Sequence, residues 1–159
     1  MRIVNKSILE SDAKYICHQC NCLTSHSAGL AKSMFDAFPY ANIYATRENL
    51  SNWKDHRDQP GTINIAGNGK DKRFIINMFA QIFPGKPKFP YSSTDGWGAR
   101  EGYFKTCLDK IALLDIGSIA FPDHIGCSMA GGNWENYLKM IEDFDDLKIA
   151  EVYLFNYQK

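Results

Sequence analysis

Residues 16 to 31 read ICHQCNCLTSHSAGLA and gather three of the five cysteines, two of the four histidines and an asparagine ahead of a small-residue turn. Such side chains can hold a metal, present a thiolate nucleophile, or line a ligand loop. Spacing weighs the three. If 15 to 20 is a strand, alternation puts His18 and Cys20 on one face and Cys17, Gln19 and Asn21 on the other, so Cys17 and Cys20 diverge. A structural zinc site wants four ligands, usually as two close pairs, and Cys107 and Cys127 stand alone downstream. The C-x5-R pattern of a cysteine phosphatase also fails, because the position after Cys127 is Asn133 and no arginine follows Cys20 or Cys22 at that spacing. The cysteines therefore read as small buried hydrophobes, and no metal is expected. His18 and Asn21 remain as the polar groups at a strand end. A histidine there serves either as an acid–base group or as a structural side chain hydrogen-bonded inside the sheet.

The elements that must position these residues alternate along the chain. RIVN (2 to 5) and YICHQC (15 to 20) have strand character, GLAKSMFDAF (29 to 38) has helical spacing closed by Pro39, and ANIYATRENL (41 to 50) suits a second helix. TINIAG (62 to 67) and RFIINMFAQ (73 to 81) flank GNGKDK, a turn that predicts an antiparallel hairpin. Residues 84 to 100 hold three of the six prolines and three glycines, which predicts one long loop. Helical spacing returns over 101 to 114 and 133 to 144, with strands at 118 to 122 and 150 to 156. This pattern predicts one α/β domain over 1 to 159 with a mixed sheet between layers of helices. Strand YICHQCN runs into CLTSHSAG and a helix, and strand SIAFP runs into DHIGCSMAGG and a helix. Two strand, small-residue loop, helix units facing each other suit a diphosphate, since glycines allow close backbone approach and helix N-termini offer free N–H groups.

Composition excludes other classes. Eighteen basic and eighteen acidic residues cancel with no Lys/Arg run, so nucleic acid is not an expected partner. The N-terminus enters a strand without a signal-peptide core and no segment has the length of a membrane span, which predicts a cytoplasmic chain with reduced thiols and no membrane partner. There is no G-x-S-x-G elbow and no G-x-x-x-x-G-K-[ST] loop, which disfavours a serine hydrolase and a P-loop kinase.

HQCNCLTSHSAGLAKSMFDAFP (18 to 39) with FPDHIGCSMAGGNWENYLKMIEDF (121 to 144) resembles the macro domain, a three-layer α/β/α fold that binds ADP-ribose. The forms IHxCNC…GxA and IGCxxAGGxW are similar to its ADP-ribose 1''-phosphate phosphatases rather than to the NAAN mono-ADP-ribose hydrolases. The resemblance spans nearly the whole chain and is strongest at 15 to 39 and 118 to 144. It implies a phosphatase that converts ADP-ribose 1''-phosphate to ADP-ribose and phosphate, with a small-molecule ligand and no cofactor; a monomer is the expected state.

Carried over by position, the resemblance makes Asn21 the contact to the distal ribose and His18 the histidine of the phosphatase type, so both are expected in catalysis. Ser27, Ala28, Gly29 and Leu30 match the first ligand loop, Ile125, Gly126, Cys127, Ser128, Met129 and Ala130 the second, and Cys20, Ser7 and Ile8 are further expected contacts. The family's Gly-Asp-Ile, whose aspartate binds the adenine amino group, is here Lys6-Ser7-Ile8. Ala130 stands where one hydrolase subgroup has a catalytic aspartate, and Ala80-Gln81 where that subgroup has a lysine. His26 is a second acid–base candidate, Asp95 and Arg100 can approach a ligand edge, and Trp97, Phe89 and Tyr91 can stack on the adenine or pin the loop. A reader of ADP-ribose without turnover, and a hydrolase removing ADP-ribose from macromolecules, are the alternative functions.

Overall fold

The computed structural model describes residues 1–47 and 58–156. Its strands are β1 (Arg2–Val4), β2 (Tyr15–Cys20), β3 (Ile63–Ala66), β4 (Phe74–Phe79), β5 (Gly117–Pro122) and β6 (Ala150–Phe155), and its helices are α1 (Gly29–Ala37), α2 (Trp97–Ile111) and α3 (Trp134–Asp146). The sheet runs β1-β6-β5-β2-β4-β3. Every neighbouring pair is parallel except β3 and β4, the hairpin expected around GNGKDK.

Alternation along the strands separates two cores. Cys17, Ile76, Met78, Ile119, Phe121, Val152 and Leu154 face α2 and α3, where Phe104, Ile111, Tyr137 and Ile141 meet them. Ile16, Ile75 and Ala120 face Met34 of α1, and Cys20 and Phe79 meet Phe35 and Tyr44 on the same side. Each fully buried side chain of this size contributes about 1.5–3 kcal/mol, so the sheet is held from both faces and its strand ends are rigid supports.

Two elements differ from the pattern. The stretch expected as a helix over 41 to 50 forms 3-10 turns at Pro39–Ala41 and Ile43–Thr46, and residues 48 to 50 lie outside the described residues. Local side chains compete here: Asn42 Oδ1 accepts the Ala45 amide at 3.2 Å and Thr46 Oγ1 donates to the Ile43 carbonyl at 2.8 Å. The long loop is shorter than expected, because α2 already begins at Trp97. Gly96 and Gly98 weaken the helical pattern there, yet Gly96 is wedged so that a Cβ would lie 2.5 Å from the Pro90 and Ser92 carbonyls. The Trp97 amide donates to Pro90 at 2.8 Å and so starts the helix.

Candidate functional site

β2 pairs with β4 over six positions and β5 with β6 over six, but β2 and β5 pair only at Tyr15–Ile119 and Ile16–Ala120. Beyond those pairs the two parallel strands part. This is where the chain reverses its direction of travel across the sheet, the position at which open α/β sheets bind ligands. A groove of about 600 Å³ opens there. It runs along the carboxyl edge from Ser7, Ile8 and Leu9 after β1, past Asn156 and Asp123, to Asn21 and the start of α1. That volume falls in the range of small-molecule sites, roughly 300–1,000 Å³.

The first loop is held by Asn21 and Arg47. Asn21 Oδ1 accepts the amides of Leu23 and Thr24, each at 2.9 Å, which is an Asx turn. The buried guanidinium of Arg47 donates to Asn21 Oδ1 at 3.3 Å, to the Asn21 carbonyl at 2.8 Å and to the Thr24 carbonyl at 3.1 Å. It also forms an ion pair with Asp58 at 2.6 Å and lies over the Tyr44 ring at 4.4 Å. The Tyr44 hydroxyl accepts the Asn21 amide at 2.7 Å. With its oxygen so engaged, Asn21 shapes the loop while bordering the groove.

The loop ends where α1 begins, and no side chain caps Ala28. The first amides of α1 are therefore open at the groove. Gly29 takes φ +58, and a Cβ there would lie 2.6 Å from Met129 Sδ, so the two loops touch across this point. In the second loop, the amides of Gly126, Ser128, Met129 and Ala130 bind no backbone carbonyl among the described residues. Beneath both loops, Gln81 Nε2 donates to the Phe83 carbonyl at 2.9 Å and Gln19 Nε2 to Gln81 Oε1 at 2.8 Å. The segment from 82 to 100 is fixed by Asp95, which accepts the Ile82 and Phe83 amides and pairs with buried Arg100 at 2.8 Å.

Of the expected site residues, Ser7, Ile8, Asn21, Ala28, Gly29, Leu30, Ile125, Gly126, Ser128, Met129 and Ala130 border the groove, while His18, Cys20, Ser27 and Cys127 do not. His18 lies away from the groove. It points into the α1 layer, 1% exposed, with its ring edge-on to Phe35 at 5.2 Å. Its Nε2 lies 2.5 Å from Oδ1 of the cross-strand Asn77. Asn77 Nδ2 donates to the Ala41 carbonyl and to Asn64 Oδ1, so its oxygen is the acceptor and His18 Nε2 carries the proton. Strand parity decides this: two residues short of the strand end, the even position faces the helix, whereas Gln19 and Asn21 border the groove.

Burial lowers the His18 pKa from 6.5 to about 4, and the hydrogen bond to Asn77 opposes it only in part. The folded value lies below the unfolded one, so acidification loads the unfolded chain first. The contribution is full above pH 6.5 and is lost as pH falls toward about 4. The whole loss is on the order of 3 kcal/mol. Urea unfolding of His18→Gln against the parent between those pH values is expected to show a flatter slope for the variant; an unchanged slope would contradict this burial.

Burial also raises the thiols, those of Cys22, Cys107 and Cys127 to about 12, which disfavours the thiolate that a nucleophilic cysteine needs. Asp95 and Arg100 are consumed by their ion pair, and Phe89 and Tyr91 point to solvent away from the groove. Trp97 stands against Gly131, where a Cβ would lie 3.1 Å from its ring. Sequence reading missed Gln19, Gln81, Tyr44, Arg47, Asp123, His124 and Asn156. Asp123, His124 and Asn156 each stand within two residues after a strand, and that position is the signal that could have found them.

The sequence matches no family model and no curated protein. Solved structures do match. The Streptomyces coelicolor macrodomain protein aligns with a TM-score of 0.69 at 16% identity, covering 99% of each chain. The macrodomain of Thermus aquaticus DarG aligns with a TM-score of 0.67 at 21% identity, over 99% of this chain and 97% of that one. This chain has the macrodomain fold. A mutant Oceanobacillus iheyensis macrodomain determined with ADPR aligns with a TM-score of 0.67 at 19% identity, over 99% of this chain and 84% of that one. Identities this low carry the macrodomain fold and leave the chemistry to the groove itself.

Proposed function

We propose that the groove binds ADP-ribose. The observation that carries this is the pair of small-residue loops leaving β2 and β5 where the strands part, each with open backbone amides. A diphosphate placed between them would meet the first turn of α1 and the amides of the second loop, where oriented N–H groups favour anions. The ADPR in the Oceanobacillus neighbour and the resemblance of the two loops support the same ligand.

The finer reading is hydrolysis of ADP-ribose 1''-phosphate. Water attacks phosphorus in line, the bond from phosphorus to the anomeric oxygen breaks, and that oxygen takes a proton. His18 is enclosed; of the described histidines that border the groove, His124 is tied to Asp123 and His26 is exposed in the first loop, so His26 is the imidazole we assign to this reaction. Ala130 and the Ala80-Gln81 pair supply neither the aspartate nor the lysine of the alternative de-ADP-ribosylation.

Phosphate release is expected from the parent and from His18→Gln, and a loss of about 100-fold or more from His26→Ala with ADP-ribose binding retained. Binding without release in the parent would remove the enzyme and leave a reader of ADP-ribose. Failure of the parent to bind would overturn the proposal.

A further inference from the structure

The groove has two chemically different ends. At the β2 end stand glycines and open amides; at the other end β1, β6 and β5 finish side by side, and the residues beyond them converge. Ile8, Leu9, Pro122 and Phe155 give that end apolar walls, and among them, of the described residues, stand one carboxylate, Asp123, and one side-chain amide, Asn156.

A carboxylate there repels a phosphate, while apolar walls around it suit a flat ring that carries an N–H donor. Asp123 is held for this task. Its amide donates to the Phe155 carbonyl at 2.8 Å, and its Oδ2 is hydrogen-bonded by Nδ1 of His124. His124 itself is fixed by stacking on Trp134 at 4.9 Å and 17° and takes φ +61, a left-handed conformation that few residues adopt without a structural reason. One carboxylate oxygen, Oδ1, then has no hydrogen bond among the described residues, and neither does the Asn156 side chain, whose backbone amide is tied to Val4 at 2.8 Å. Ser7 is a weaker acceptor than this carboxylate, being uncharged, and its hydroxyl oxygen takes the Leu9 amide at 3.3 Å.

We infer that Asp123, with Asn156 beside it, reads the exocyclic amine of the ligand's base, so that the groove selects an amine-bearing purine over one with a carbonyl at that position. This inference rests on the proposed ADP-ribose site. The carboxylate accepts from an amine and opposes the lone pairs of a carbonyl, which makes the selection two-sided.

The test is calorimetric titration of ADP-ribose and of its hypoxanthine counterpart, inosine diphosphate ribose, into the parent, Asp123→Asn and Asn156→Ala. The parent should prefer ADP-ribose by about tenfold or more, the range of a hydrogen bond to a charged group. Asp123→Asn keeps an acceptor for His124 and offers a donor to the carbonyl, so its preference should fall to near unity, with the hypoxanthine ligand held as tightly as before or more so. Asn156→Ala should weaken both ligands. A parent that binds both equally, or an Asp123→Asn variant that keeps the parental ratio, overturns the inference while leaving ADP-ribose binding intact. A parent that binds neither overturns the binding site itself.

Discussion

Replacing Arg47 with methionine is expected to lower stability by about 3 kcal/mol and to abolish ligand binding by the protein that remains folded. Methionine keeps much of the stem's volume and removes the guanidinium. The carbonyls of Asn21 and Thr24 and the Asp58 carboxylate then lose their donors together, in a place where the Arg47 side chain is only 1% exposed. Asp58 is partly solvated at 29%, which keeps the cost near the lower end of a broken buried pair. The Asx turn at Asn21 loses its brace, and the first amides of α1 move with it. Arg47→Lys should rescue little, because one ammonium cannot span acceptors on three residues in the fork that a guanidinium provides. Urea midpoints with an unchanged slope, and ligand titration of the folded variant, check both halves. A cost below about 1 kcal/mol with normal binding would show that the first loop holds itself.

Gly126→Val should close the groove. Gly126 takes φ +76, and a Cβ there would lie 2.6 Å from Tyr137 Cε1 and 2.8 Å from Gln19 Oε1. Tyr137 is buried against Phe104 at 4.8 Å and cannot withdraw, so the backbone of the second loop must shift instead. Left-handed strain adds about 1–3 kcal/mol and overpacking a similar amount. Binding is expected to weaken by about 100-fold, with a clear fall in thermal stability. Normal affinity in this variant would mean that the second loop does not approach the ligand.

The layers were legible in the sequence because hydrophobic period carried them. The strand at Tyr15–Cys20 and the start of α1 at Gly29 stand where alternation and the Gly-Leu-Ala turn put them, and the edge hairpin follows from Gly67 and Gly69. The small-residue loops were legible too, since only backbone approach explains Gly29 and Gly126. What could not be read was which side chains would be drawn inward. His18 and Gln19 are adjacent and equally polar; parity sends them to opposite faces but does not fix which of the two faces the groove opens on. Arg47 was invisible for another reason: its acceptors Asn21 and Thr24 are 26 and 23 residues away, and no local spacing reports such a clasp. Asp95 and Arg100 read as loop charges able to approach a ligand edge, yet the backbone amides of Ile82 and Phe83 take the Asp95 carboxylate inward.

The central claim is that ADP-ribose sits between the two loops at the parted ends of β2 and β5. Amide chemical shifts recorded during titration of ADP-ribose into the parent protein test it most directly. The expected result is saturable shifts at Gly29, Leu30, Gly126, Ser128 and Met129, with a second group at Ile8 and Asp123. Unchanged spectra, or shifts confined to surfaces away from these loops, would contradict it.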